Sequence, residues 1–290
     1  MRRSMLLAVA ALGLTTTGCI HLVTPPGDAP LRYRDAVFSD VTVTPNVDYG
    51  SAVDQLGNTT TLKLDMYEPT GDTATARPAI VWVHGGGFSF GARTSPELVD
   101  QSNVFAKMGY VNVSIAYRLA PQGCVGTVTA SCIIGIQHAQ YDAQAAVRWL
   151  RANAAQYRID VNRIAMGGTS AGAITALNVG FSPDDVGTSG NPGEASDIRA
   201  VLSLSGARLR GTVDPGEAAS LLFHGTADPL VPYAWGLDTQ QVASAANVVS
   251  IITTWEGDGH VPYLQHRQEI LDQSTNFLYW TMDLERAAQA

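Results

Sequence analysis

The sequence predicts an α/β fold: a mostly parallel, twisted sheet with two antiparallel strands ahead of it and helices on both faces. Three observations carry this. From Ala79 onward six short apolar runs follow one another, "AIVWVHGGG", "YVNVSIAYRL", "NRIAMGGTS", "IRAVLSLSG", "SLLFHGTAD" and "VSIITTWEG", with helical segments between them. Strands that lose polar alternation are buried on both faces, as a parallel sheet covered by helices requires. Before Ala79, "VFSDVTVTPNV" and "TTTLKLDMYEP" alternate, with Leu62, Leu64 and Met66 on one face, and read as two half-exposed antiparallel strands. Finally, "DAQAAVRWLRANAAQY" puts Ala143, Val147, Leu150 and Ala154 on one helical face, and "HRQEILDQSTNFLYWTMDL" forms a closing helix.

At 290 residues the chain suits one large domain, expected over residues 37–290. Its net charge of −8, with no basic run beyond Arg2-Arg3, argues against a nucleic-acid partner. The N-terminus "MRRSMLLAVAALGLTTTGC" has a positive start, an apolar segment and a small-residue end. This is the layout of an export signal, expected over residues 1–18, and it is too short for a durable transmembrane helix. Its Gly18-Cys19 end resembles a lipobox, with Thr16 where leucine is usual, so Cys19 is the expected lipidation site. The predicted location is the cell envelope with a membrane anchor, or secretion if the lipobox is not used. Residues 19–36 contain three prolines and no apolar period, and read as a tether. Export would favour a disulfide between Cys124 and Cys132, the alternative being two unpaired loop thiols.

A sheet of this kind binds ligands at the carboxyl ends of its strands, so the loops after the apolar runs carry the chemistry. After "RIAM" comes Gly168-Thr169-Ser170-Ala171-Gly172, which matches G-x-S-x-G, with a strand before it and a helix after it. The glycines let the strand turn sharply into the helix and leave Ser170 exposed at the tip. Another strand ends in His84-Gly85-Gly86-Gly87, where a glycine run can bring backbone N–H groups close to a developing oxyanion.

"HGGGF", "YRLAP" and "GTSAG", in that order, resemble the motifs of α/β-hydrolase serine esterases of the hormone-sensitive-lipase and bacterial feruloyl or dienelactone types. The resemblance covers roughly residues 62–280. It implies the α/β-hydrolase fold, here with a tether and strands where many such esterases carry a large cap domain. It also implies an oxyanion hole from Gly86, Gly87 and Ala171, and an orienting role for His84 within its loop.

Acid and base follow from the Ser, acid, His order of this fold. Asp228 leads "DPLVPY" after one buried strand, and His260 lies in "DGHVPY" after the next. Asp258 and Asp214 are rival acids, and His266 a rival base on the last helix. His224 reads as structural, and Asp142 as a cap or early-turn carboxylate of its helix. Phe88, Tyr233 and Trp235 are candidates for the pocket wall, and residues 121–136 and 182–196 for its rim. No metal cluster, dinucleotide fingerprint or phosphate loop occurs, so no cofactor is expected. The expected activity is hydrolysis of short-to-medium acyl esters, with a small-molecule ester as substrate. The same triad could instead serve an acetyl- or feruloyl-polysaccharide esterase or a serine peptidase. A non-catalytic envelope binding protein is a weaker reading, since no triad or oxyanion position is missing.

Overall fold

The computed structural model of the protein describes residues 21–125 and 128–287. Cys19 and the export signal lie outside them. Eight strands form one sheet: β1 (Val41–Val53), β2 (Thr59–Pro69), β3 (Arg77–Val83), β4 (Val111–Ile115), β5 (Ile159–Thr169), β6 (Ala200–Leu204), β7 (Ala219–Gly225) and β8 (Ser250–Trp255). Their order is β1-β2-β4-β3-β5-β6-β7-β8. β1 pairs antiparallel with β2, and β2 with β4, while every other pairing is parallel. The six apolar runs are β3 to β8.

Among the described residues the helices are α1 (Pro96–Met108), α2 (Ala130–Ala152), α3 (Ala154–Tyr157), α4 (Ala171–Gly180), α5 (Tyr233–Ala245), α6 (Tyr263–Thr281) and α7 (Leu284–Ala287). None is long and apolar enough to cross a membrane. Side chains of β3 alternate between two cores, one on each face of the sheet. Val81 and Val83 pack with Val147 and Leu150 of α2 and Leu177 of α4. Ile80 and Trp82 pack with Phe105 of α1 and Phe277 of α6. A strand that must fill both cores has no polar position left, which is why β3 reads as a continuous apolar run.

Three expectations need correction. First, α2 starts at Ala130, where the Thr129 side chain accepts from the Cys132 N–H, so Asp142 lies in mid-helix. It is fully buried and takes the Arg118 guanidinium and backbone N–H in a multidentate pair. Second, the described part of residues 19–36 lies along the domain and does not stand free as a tether. Tyr33 is buried and packs edge-on against Tyr110, with ring centroids 5.4 Å apart, and Arg32 pairs with Asp72. Third, residues 182–196 form no rim. Arg148 and Arg118 hold them against α2, and the Asn191 amide donates to the Tyr49 carbonyl of β1.

Candidate active site

The turn from β5 into α4 holds Ser170 at φ +53° and ψ −118°, a sparsely populated conformation for a non-glycine residue. Its N–H donates to the Leu204 carbonyl of β6, and its carbonyl accepts the first bond of α4 from Ile174. The turn is tight enough to exclude side chains beside it. A Cβ on Gly172 would lie 1.9 Å from the Val83 carbonyl oxygen.

Ser170 Oγ is 2.8 Å from His260 Nε2, and His260 Nδ1 is 2.7 Å from Asp228 Oδ2. Asp228 is buried, which by itself would favour the neutral acid. The nearby His224 imidazole, the hydrogen bond with His260 and the backbone N–H groups of Val231 and Leu230 outweigh that and hold its carboxyl well below the usual range. An ionised carboxylate only accepts, so His260 carries its proton on Nδ1 and leaves Nε2 to accept from the serine hydroxyl.

The glycine loop after β3 is fixed peptide by peptide. His84 Nδ1–H donates to the Gly85 carbonyl at 2.7 Å, so the Gly86 N–H of the same trans peptide points the opposite way. The Gly86 carbonyl accepts from Ser89 and Phe90, which orients the Gly87 N–H in the same manner. Gly86 itself has φ +111°, and a Cβ there would lie 2.1 Å from the Phe90 carbonyl oxygen. Ala171 opens α4, where an N–H has no intrahelical acceptor. Among the described residues, no hydrogen bond leaves the N–H of Gly86, Gly87 or Ala171. "YRLAP" supports the loop from below. Tyr117 stacks on His84 at 4.3 Å and donates to its carbonyl, and the Ala120 N–H donates to the Phe88 carbonyl.

Ser170, His260, Gly86, Gly87 and Ala171 all line one cavity of about 780 Å³, with Phe88 and Trp235 in its wall. Tyr233 lies outside that wall, its hydroxyl bonded to Thr254. Residues 121–136 do contribute a rim, through Cys124, Val125, Val128, Cys132, Ile133 and Ile136. Cys124 and Cys132 are joined as a disulfide, and the Cys124 N–H donates to the Gly87 carbonyl at 2.8 Å.

The rival groups are engaged elsewhere. Asp258 and His266 pair with each other at 2.5 Å, and His266 stacks on Trp255 at a kink in α6. Asp214 is exposed and outside the cavity wall. His224 is buried, and its Nε2–H donates to the Val231 carbonyl at 2.8 Å, with Asp228 Oδ2 3.4 Å away. The sequence reading has no place for Ser205, whose Oγ accepts from the Val261 N–H and steadies the His260 loop, nor for Glu97, which accepts from Thr169 at the cavity wall. Both contacts are long-range, and no local pattern signals them. Among the described residues, no group of three or more His, Cys, Asp or Glu could hold a metal.

Sheet order, the sharp serine turn and the three converging loops define an α/β-hydrolase fold. Solved structures share it: Thermogutta terrifontis esterase 2 phosphoramylated by tabun has a TM-score of 0.68 at 22% identity, covering 84% of this chain and 95% of that one. The native form of the same esterase gives 0.67 at 22% identity, covering 87% and 95%. Residues 64–208, half of the chain, match the BD-FAE family model, and the chain belongs to that family. Among curated relatives, mouse carboxylesterase 3B is 34% identical over 132 residues, 43% of this chain and 21% of its own. Phenmedipham hydrolase of Pseudarthrobacter oxydans is 35% identical over 124 residues, 42% and 23%. The chain thus spans about a fifth of the length of these relatives.

Proposed function

We propose that the protein is a serine carboxylesterase that hydrolyses short-to-medium acyl esters through an acyl-enzyme. The observation that carries this is the unbroken hydrogen-bond line Ser170–His260–Asp228 opening into an apolar cavity. The similarity to carboxylesterases and to phenmedipham hydrolase supports the same reading.

A serine hydroxyl is a weak nucleophile at neutral pH unless a neighbouring base takes its proton. Here Ser170 Oγ attacks the ester carbonyl carbon while its proton passes to His260 Nε2. Asp228 stabilises the resulting imidazolium through Nδ1–H. The carbonyl oxygen becomes an oxyanion and takes the free N–H groups of Gly86, Gly87 and Ala171. Collapse expels the alcohol, which receives the proton from Nε2, and a water repeats the sequence to release the acid. The test is turnover of p-nitrophenyl esters graded by acyl length, run beside acetylated and feruloylated sugars. His260→Ala should lower ester turnover by about 10⁴-fold. Unchanged turnover in the folded variant would remove His260 from this role.

The proposed setting is the cell envelope, with Cys19 carrying the lipid. Cys19→Ser should abolish partitioning into the detergent phase. Continued partitioning would refute the anchor.

A further inference from the structure

The cavity mouth carries a set of exposed apolar side chains. Phe90 (60% exposed), Val125 (60%), Val128 (69%), Ile133 (55%), Leu230 (59%) and Trp235 (47%) all line it, yet their side chains stand open to water. They come from four separate segments: the loop after β3, the disulfide-closed loop with the start of α2, the loop after Asp228, and the first turn of α5. Leu264, 87% exposed, lies four residues past His260 in the first turn of α6. Exposed apolar side chains scattered singly need no explanation, but a set gathered at one opening marks a surface that meets another apolar phase.

We propose that this collar docks the enzyme onto the surface of a neutral, water-insoluble ester aggregate, so that substrate passes from that phase into the cavity without crossing water. The proposal rests on the esterase reading above and deepens it by naming how the substrate is presented. Two features select this occupant. The collar is continuous with the cavity wall whose floor holds Ser170, so an acyl chain leaving the aggregate stays among apolar side chains up to the reacting carbonyl. The charge pattern then disfavours an anionic surface. The chain carries a net −8, and the arginine at the cavity wall, Arg210, is already paired with Asp185 at 2.8 Å, while the carboxylate of Glu97 lines the same cavity.

Adsorption can be read without turnover. The full chain carrying Ser170→Ala should co-float with an emulsion of a neutral trialkyl glyceryl ether, which cannot be hydrolysed. Adding Ile133→Ser, Leu230→Ser and Trp235→Ser should weaken that adsorption on the order of tenfold or more, since three apolar side chains no longer leave water. With the serine restored, the wild type should turn over tributyrin faster once its solubility limit is passed. The triple variant should lose that rise, read as the ratio of emulsion rate to monomer rate. Equal adsorption by the collar variant, equal binding to phosphatidylcholine vesicles, or a concentration-dependent dimer that the triple variant abolishes would each overturn the proposal. Loss of monomeric ester turnover in the wild type would instead strike the esterase reading, which the ether emulsion does not touch.

Discussion

Ser170 is held in a conformation that costs about 1–3 kcal/mol, and the bonds to Leu204 and Ile174 together with Gly172 keep it there. Gly172→Ala should therefore fail to fold or lose the turn, because its methyl would meet backbone and not a movable side chain. Soluble expression with wild-type thermal stability would contradict this. The depressed ionisation of Asp228 has a pH consequence with a definite sign. Its carboxyl, like those of Asp72 (held by Arg32) and Asp100 (held by Arg267 and Tyr263), is pulled below the ordinary value despite burial. Such groups stabilise the fold fully above the unfolded carboxyl value of about 4, and that stability is lost as pH falls through the folded values. Urea midpoints should thus be flat near neutrality and drop in acid, with a shallower drop in Asp228→Asn. The same variant should lose about 10⁴-fold in kcat, because an amide can present its NH₂ to His260 and favour the wrong tautomer.

At the scale of elements, the loop between Cys124 and Cys132 does two things. It forms part of the cavity rim, and through the Cys124 N–H it holds the Gly87 carbonyl beside two of the proposed oxyanion donors. Reduction of the disulfide should cost about 2.5 kcal/mol of stability, from the short loop it closes. It should also lower kcat more than it raises KM, which steady-state assays before and after dithiothreitol will read. The buried Arg118–Asp142 pair ties the "YRLAP" segment to α2, and Asp142→Asn should destabilise by about 3–5 kcal/mol by stranding the guanidinium. That pair also marks where sequence reading stops. β3 to β8 were legible because burial on both faces leaves a local, continuous apolar signature, and the serine turn because its glycines are required by contacts on either side. The start of α2 was hidden by a glycine and a cysteine in "SCIIGIQ", which suggest a loop. The partners of Asp142, Ser205 and His224 were hidden because tertiary packing alone brings them together.

Over the whole molecule, the parallel strands deliver Ser170, Asp228, His260 and the glycine loop to one end of the sheet. The N-terminal segment is fastened at the other. Asn276 and Trp280, late in α6, donate to the Leu22 and Val23 carbonyls, roughly 20 Å and 25 Å along a helix that begins beside His260. Deleting residues 1–36 removes Tyr33 from the core and should cost about 3 kcal/mol or more, read by urea unfolding. Whether His260 and Asp228 make Ser170 a nucleophile is read by labelling with a serine-directed organophosphonate ester and intact-mass readout. One adduct is expected on the wild-type chain, none on Ser170→Ala, and strongly slowed labelling of His260→Ala. No adduct on the wild type, or an equal adduct on Ser170→Ala, would contradict that role for Ser170.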